Sequence, residues 1–133
     1  MLLVAAAFAL TSPAFANGGT IPVEYTCDGR GVSPPLRWSA PPAGTKSFAL
    51  TVFDPDAPGG GFLHWQASGI PAGARGLRAG QHPPVEGANG AGRSGWTGPC
   101  PPSGVHHYVF TLTAVGAHGK VLARAKLVGR YGR

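Results

Sequence analysis

Three stretches of the chain concentrate the side chains that do chemistry. Asp54-Pro55-Asp56-Ala57-Pro58 places two of the five acidic residues two positions apart. His64-Trp65 follows a few residues later. Gly98-Pro99-Cys100-Pro101-Pro102-Ser103-Gly104-Val105-His106-His107-Tyr108 brings two adjacent imidazoles and a phenol behind a proline-rich run. Proline fixes φ, removes a backbone donor and permits a cis bond, so such loops hold neighbouring side chains still. A carboxylate, two imidazoles and a phenol around one hollow would offer donors, acceptors and a titratable charge to a small anion. Each residue also has a plainer role open to it. Asp54 and Asp56 can pin a turn through Asx hydrogen bonds. His64 and His106 can be hydrogen-bonded core residues, and Tyr108 can be core alone. His107, next to His106 on a strand, should face the other way.

These groups need strands to carry them. Ser47 to Phe53 alternates, with Phe48, Leu50 and Val52 on one face. Phe62 to Ser68 reads as a second strand, with Phe62, His64 and Gln66 sharing one face and Leu63, Trp65 and Ala67 the other. Tyr108 to Val115 is a third, with Tyr108, Phe110 and Leu112 together. Val121 to Val128 is the last. Phe8 to Phe15 reads as a short strand ending at Asn17-Gly18-Gly19, and Thr20 to Cys27 as a strand that Pro22 confines to an edge. Gly69 to Gly104 is mostly loop, unusually long for a compact domain. Trp38, Trp65 and Trp96 read as packing residues.

Composition bounds the rest. Glycine (22) and proline (14) exceed a quarter of the 133 residues, without the period of collagen. Clustered between apolar runs, they indicate a loop-rich all-β protein. No long amphipathic helical pattern appears, and no run of about eighteen apolar residues that could form a transmembrane helix. Eleven Lys and Arg against five Asp and Glu give +6. The basic residues are scattered without an aromatic-interleaved stripe, so nucleic acid is not the expected partner. Cys27 and Cys100 lack zinc or redox spacing. They are either two buried thiols or one disulfide closing a loop of some seventy residues. The latter would stabilise the fold by ~4 kcal/mol and needs an oxidising compartment. Residues 1–7 read as the remnant of a secretory signal whose start lies upstream, with the folded domain at 8–133. Ala14-Phe15-Ala16 has an A-x-A cleavage pattern, but no Lys or Arg precedes the apolar stretch. A periplasmic or secreted location is therefore expected, with a cytoplasmic one as the alternative.

The two signatures, in this order and with these strands between them, resemble the phosphatidylethanolamine-binding protein family in its bacterial, Raf kinase inhibitor-like branch. Leu10-Thr11-Ser12-Pro13, Tyr25-Thr26-Cys27-Asp28-Gly29, Ser33-Pro34-Pro35-Leu36 and Leu127-Val128-Gly129-Arg130-Tyr131 extend the likeness over nearly the whole chain from Phe8. The resemblance implies a Greek-key antiparallel β-sandwich with a pocket at one end for phosphate or a phosphorylated lipid headgroup. Carried over by position, Asp54, His64, His106 and Tyr108 line that pocket. Asp56, Pro55, Pro101, Pro102 and His107 support it, and Asp54–Pro55 is a candidate cis bond. The family's first strand also argues against cleavage after Ala16.

Two departures stand out. His107 stands where the family usually has Arg, which makes any ion pair there pH-dependent. Only Gly116 to Lys120 separates the last two strands, where the family usually carries a longer connection with a helix; some twenty residues are absent. The function expected is non-enzymatic binding of a small anion, with no cofactor or metal. Protease or kinase inhibition through a docked protein partner is the alternative. Zinc or acid–base hydrolysis ranks third, since neither signature sets a Ser or Cys nucleophile beside a base.

Overall fold

The computed structural model describes residues 7–133; the segment read as a leader remnant lies, through residue 6, outside the described residues. Eight strands form two antiparallel sheets: β1 (Leu10–Thr11), β2 (Leu36–Trp38), β3 (Ser47–Asp54), β4 (Phe62–Pro71), β5 (Gly76–Leu77), β6 (Val85–Glu86), β7 (Val105–Val115) and β8 (Val121–Gly132). The small sheet runs β1-β2-β5 and the large one β6-β4-β3-β7-β8. The long connection from β6 crosses β4 and β3 to set β7 beside β3, which is the Greek-key step.

The alternation read from the sequence builds the core. Phe48, Leu50 and Val52 of β3 pair with Ala114, Leu112 and Phe110 of β7, and the last two of these with Ala125 and Leu127 of β8. All are buried. Leu10, Leu36, Trp38 and Leu77 close the core from the small sheet, with the Trp38 ring 5.5 Å from that of Phe48. The opposite face of the large sheet carries Thr51, Thr111, Thr113, Arg124 and Lys126, all exposed or half-buried. Threonine fills a pleated, solvated face well.

Four local expectations are corrected. Thr20 to Cys27 is not a strand: Thr20 makes a single bridge to Arg130, and Val23–Tyr25 is a 3₁₀ turn. Pro22 has no N–H for a ladder, and its carbonyl instead accepts the Tyr25 N–H. The Phe8–Phe15 strand shrinks to Leu10–Thr11, because the Ser12 hydroxyl turns the chain by accepting the Ala14 N–H and donating to Pro35 O. Within Gly69 to Gly104 two short strands, β5 and β6, interrupt the loop.

The fourth correction concerns β4. Between Val52↔Trp65 and Phe53↔Leu63 the register slips by one residue. This is a bulge with His64 as the extra residue. His64 and Trp65 are therefore both buried, while Gln66 is exposed. Strict alternation put His64 and Gln66 together; the bulge turns His64 inward at the end of the sheet. The connection from β7 to β8 is a tight hairpin through a short 3₁₀ turn, Ala117–Gly119, as its length requires. Among the described residues no helix is long and apolar enough to cross a membrane.

Candidate functional site

The core face of β3 and β7 does not end with the core. Asp54 follows Phe48, Leu50 and Val52 by the same two-residue step, and His106 and Tyr108 precede Phe110. These three are buried, Tyr108 completely. With bulged His64 they lie around one cavity of about 240 Å³, closed on its other sides by Ala57, Pro58, Phe62, Thr97, Pro101 and Pro102. Pro55 does not line it.

The hydrogen bonds fix the ring orientations. His106 Nδ1–H donates to Asp54 Oδ2 at 2.6 Å, leaving Nε2 as the free ring nitrogen. Asp54 Oδ1 accepts the Asp56 N–H at 2.8 Å, so this carboxylate closes an Asx turn and orients an imidazole together. The Asp54–Pro55 bond is trans, against the expectation of cis. That Asx contact closes the turn in the ordinary isomer, which an X-Pro bond prefers by about 0.5–1 kcal/mol. His64 Nδ1 faces the Thr97 carbonyl at 2.7 Å. A carbonyl only accepts, so Nδ1 carries the proton and Nε2 of neutral His64 is an acceptor. Burial holds the His64 pKa below the ordinary imidazole value; the Thr97 carbonyl and the Asp54 charge offset part of this.

Tyr108 packs edge-on to His64, ring centroids 5.1 Å apart. Its buried hydroxyl has no hydrogen-bond partner. Burial, reinforced by the Asp54 carboxylate, pushes the phenol far above its ordinary pKa, so it remains an O–H donor. A buried hydroxyl without a partner costs roughly 1–3 kcal/mol and is rare in a native fold.

Asp56 and His107 sit outside the cavity. Asp56 Oδ2 accepts both the backbone N–H and Nδ1–H of His107, each at 2.7 Å. These two bonds hold the Asp56 carboxyl below the ordinary carboxylate range. His107 does face away from His106, and it ties the loop after β3 to the start of β7.

The proline-rich wall is fastened at three points. Cys27 and Cys100 form a disulfide, deciding between the two readings of the cysteines. Cys27 N–H donates to Pro99 O, and Thr97 N–H to His64 O. Gly98 lies so close to the Thr26 and Tyr25 backbone that a Cβ would stand 3.0–3.1 Å from it. Sequence reading missed Phe62, Ala57, Pro58 and Thr97 as lining residues. Only their adjacency to the two signatures marked them. Among the described residues no group of three or more His, Cys, Asp or Glu is placed to hold a metal ion.

The fold is a two-sheet sandwich with a small pocket of Asp, His and Tyr side chains at the end of its core face. The family model described as Phosphatidylethanolamine-binding protein matches residues 11–132, and the chain belongs to that family. Among solved structures it resembles CT736 of Chlamydia trachomatis, described as a homolog of phosphatidylethanolamine-binding protein. The TM-score is 0.90 at 35% identity, over 96% of this chain and 98% of that one. Escherichia coli YbcL, a member of the mammalian family, superposes with a TM-score of 0.88 at 32% identity, over 96% and 99% of the two chains. A UPF0098 protein of Methanothermobacter thermautotrophicus is 43% identical over 148 aligned positions, covering 93% of this chain and 98% of the relative. LppC of Mycobacterium tuberculosis, named as a lipoprotein, is 49% identical over 107 residues. This chain spans 53% of LppC's length.

Proposed function

We propose that the chain binds a small phosphate-type anion in the cavity of Asp54, His64, His106 and Tyr108, without chemical turnover. The observation that carries this reading is the one cavity that Asp54, His64, His106 and Tyr108 line together, with Nδ1 of both histidines engaged in the protein and the buried Tyr108 hydroxyl left without a partner. A ligand oxygen would supply the missing acceptor. An imidazolium at His106, held by Asp54 through Nδ1, would donate from Nε2 to a second ligand oxygen. Neutral His64 accepts at Nε2, from a P–OH group or from an ammonium on the same ligand. A phosphate that keeps a P–OH or a zwitterionic headgroup satisfies all three; a form with neither P–OH nor ammonium leaves Nε2 of His64 without a donor.

The more protonated form of the ligand is therefore the one preferred, and affinity rises as pH falls. Calorimetric titration with inorganic phosphate and with O-phosphorylethanolamine between about pH 5.5 and 8 should give several-fold tighter binding at the acid end. His106→Ala should weaken both at least tenfold. An affinity flat across this range, or unchanged in His106→Ala, overturns the reading. The disulfide, and the lipoprotein name of one relative, favour an oxidising compartment outside the cytoplasm.

A further inference from the structure

A second hollow lies on the outer face of the small sheet, sharing no residue with the first. It has a volume of about 650 Å³ and is lined by Arg37, Arg75 and Arg78 among Pro13, Pro35, Gly76 and Gln81. Leu36 and Trp38 point into the core, so Arg37 between them points out. Arg37 pairs with Gly76 on β5, and a Cβ there would meet Leu36 O at 2.5 Å. The backbone of β5 opposite Arg37 thus has no room for a side chain at Gly76.

The surroundings of the arginines are fixed. Arg75 Nη1 donates to Ala72 O and Ala74 O at 2.9 and 2.8 Å, and Ala74 O also accepts the Trp38 indole N–H. Its remaining donors are left over. Arg78 starts a turn in which its N–H bonds Gln81 Oε1, Gln81 N–H returns to Arg78 O, and Gly80 N–H reaches Ser33 O. Among the described residues the Arg37 and Arg78 guanidiniums bond no protein group. No carboxylate lines the hollow. Four of the five acidic side chains are engaged elsewhere: Asp28 with Arg133, Asp54 with His106, Asp56 with His107 and Glu86 with His82.

We propose that this hollow is a second anion site, taking a phosphate-class group of two or more negative charges between Arg37, Arg75 and Arg78. Planar guanidinium forks match phosphate oxygens bidentately, and a hollow of this size is in the range of ligand pockets. The proline walls and Gly76 floor would accommodate the uncharged part of the molecule. It does not depend on the function proposed for the histidine pocket.

The test follows backbone amide shifts by NMR during titration with pyrophosphate, against sodium chloride at matched ionic strength. Saturable shifts at residues 36–38 and 75–81 are expected, weakened at least tenfold in Arg37→Gln/Arg78→Gln and unchanged in His106→Ala. Arg124→Gln/Lys126→Gln removes the same charge from the other sheet and should leave them intact. Arg78→Gln alone serves if the double variant fails to fold. A second arm uses glycerol 3-phosphate and vesicles of phosphatidylcholine with about one-fifth phosphatidic acid. Site-dependent binding of the soluble ester assigns a free phosphorylated molecule; binding of vesicles alone assigns a headgroup. Shifts matched by chloride, or lost equally in Arg124→Gln/Lys126→Gln, overturn the proposal.

Discussion

Tyr108 separates stability from binding at a single oxygen. Its hydroxyl is buried with no partner, so in the empty protein it contributes only its desolvation. Tyr108→Phe should leave stability unchanged or raise it by up to about 1 kcal/mol, while weakening phosphate binding roughly tenfold, as urea denaturation and calorimetry would report. Equal losses in both would make Tyr108 merely a packing residue. His64 makes a different prediction. Its folded pKa is depressed by burial, so the folded state resists a proton that the unfolded state takes up near pH 6.5. Stability is full above that value and falls as pH drops towards the depressed folded pKa. Asp28 and Asp56, also lowered, add a second loss below pH 3.8. Thermal melts should show the first decline beginning near pH 6.5, and His64→Asn, which can still donate to Thr97 O, should delay it to the carboxylate range.

At the scale of strands and turns, Gly129 shows how tightly the N-terminal segment is seated on β8. It pairs with Tyr108, and a Cβ there would stand 2.5 and 2.7 Å from Ile21 and 2.9 Å from Phe15. Ile21 is fully buried and its segment is stitched to β8 by two backbone bonds at Arg130, so it cannot withdraw. Gly129→Ala should therefore destabilise by about 1–3 kcal/mol in a urea titration, with phosphate affinity falling as Tyr108 is displaced. The long strands β3, β7 and β8 were legible. Phe48-Leu50-Val52 and Tyr108-Phe110-Leu112 alternate cleanly because one face of each is core, and extending the step by two reaches Asp54 and His106. What escaped the pattern was set by non-local contacts. The His64 bulge exists only in the pairing of β4 with β3, the 3₁₀ turn at Val23–Tyr25 answers to a missing Pro22 donor, and Thr97 enters the site by bonding His64 across 33 residues. None of these leaves a periodic trace. The family resemblance brought the two signatures together, while the trans Asp54–Pro55 bond followed the local Asx turn instead.

Over the whole molecule, the pocket joins parts of the chain that the strands alone would not hold together. Its wall from Thr97 to Pro102 has no regular structure and meets the remainder through the Cys27–Cys100 bridge, across 73 positions, and a few backbone bonds. A crosslink of that span restricts the unfolded chain by about 4 kcal/mol in the loop-entropy account. Cys27→Ala/Cys100→Ala should lower stability by up to that amount, or roughly 10–15 °C in Tm for a domain of this size. The core residues from both sheets do not depend on the bridge, so the variant should keep its β-sheet circular dichroism. The wall should loosen. Hydrogen exchange at Thr97 and at position 100 should quicken much more than at Leu112, deep in β7. Phosphate affinity should fall several-fold, because ordering the wall would then accompany each binding event. Reducing the native protein with dithiothreitol must reproduce the variant's loss of affinity. Cys100 also lines the cavity, so if affinity falls in the variant alone, its side chain rather than the tether is what binding requires.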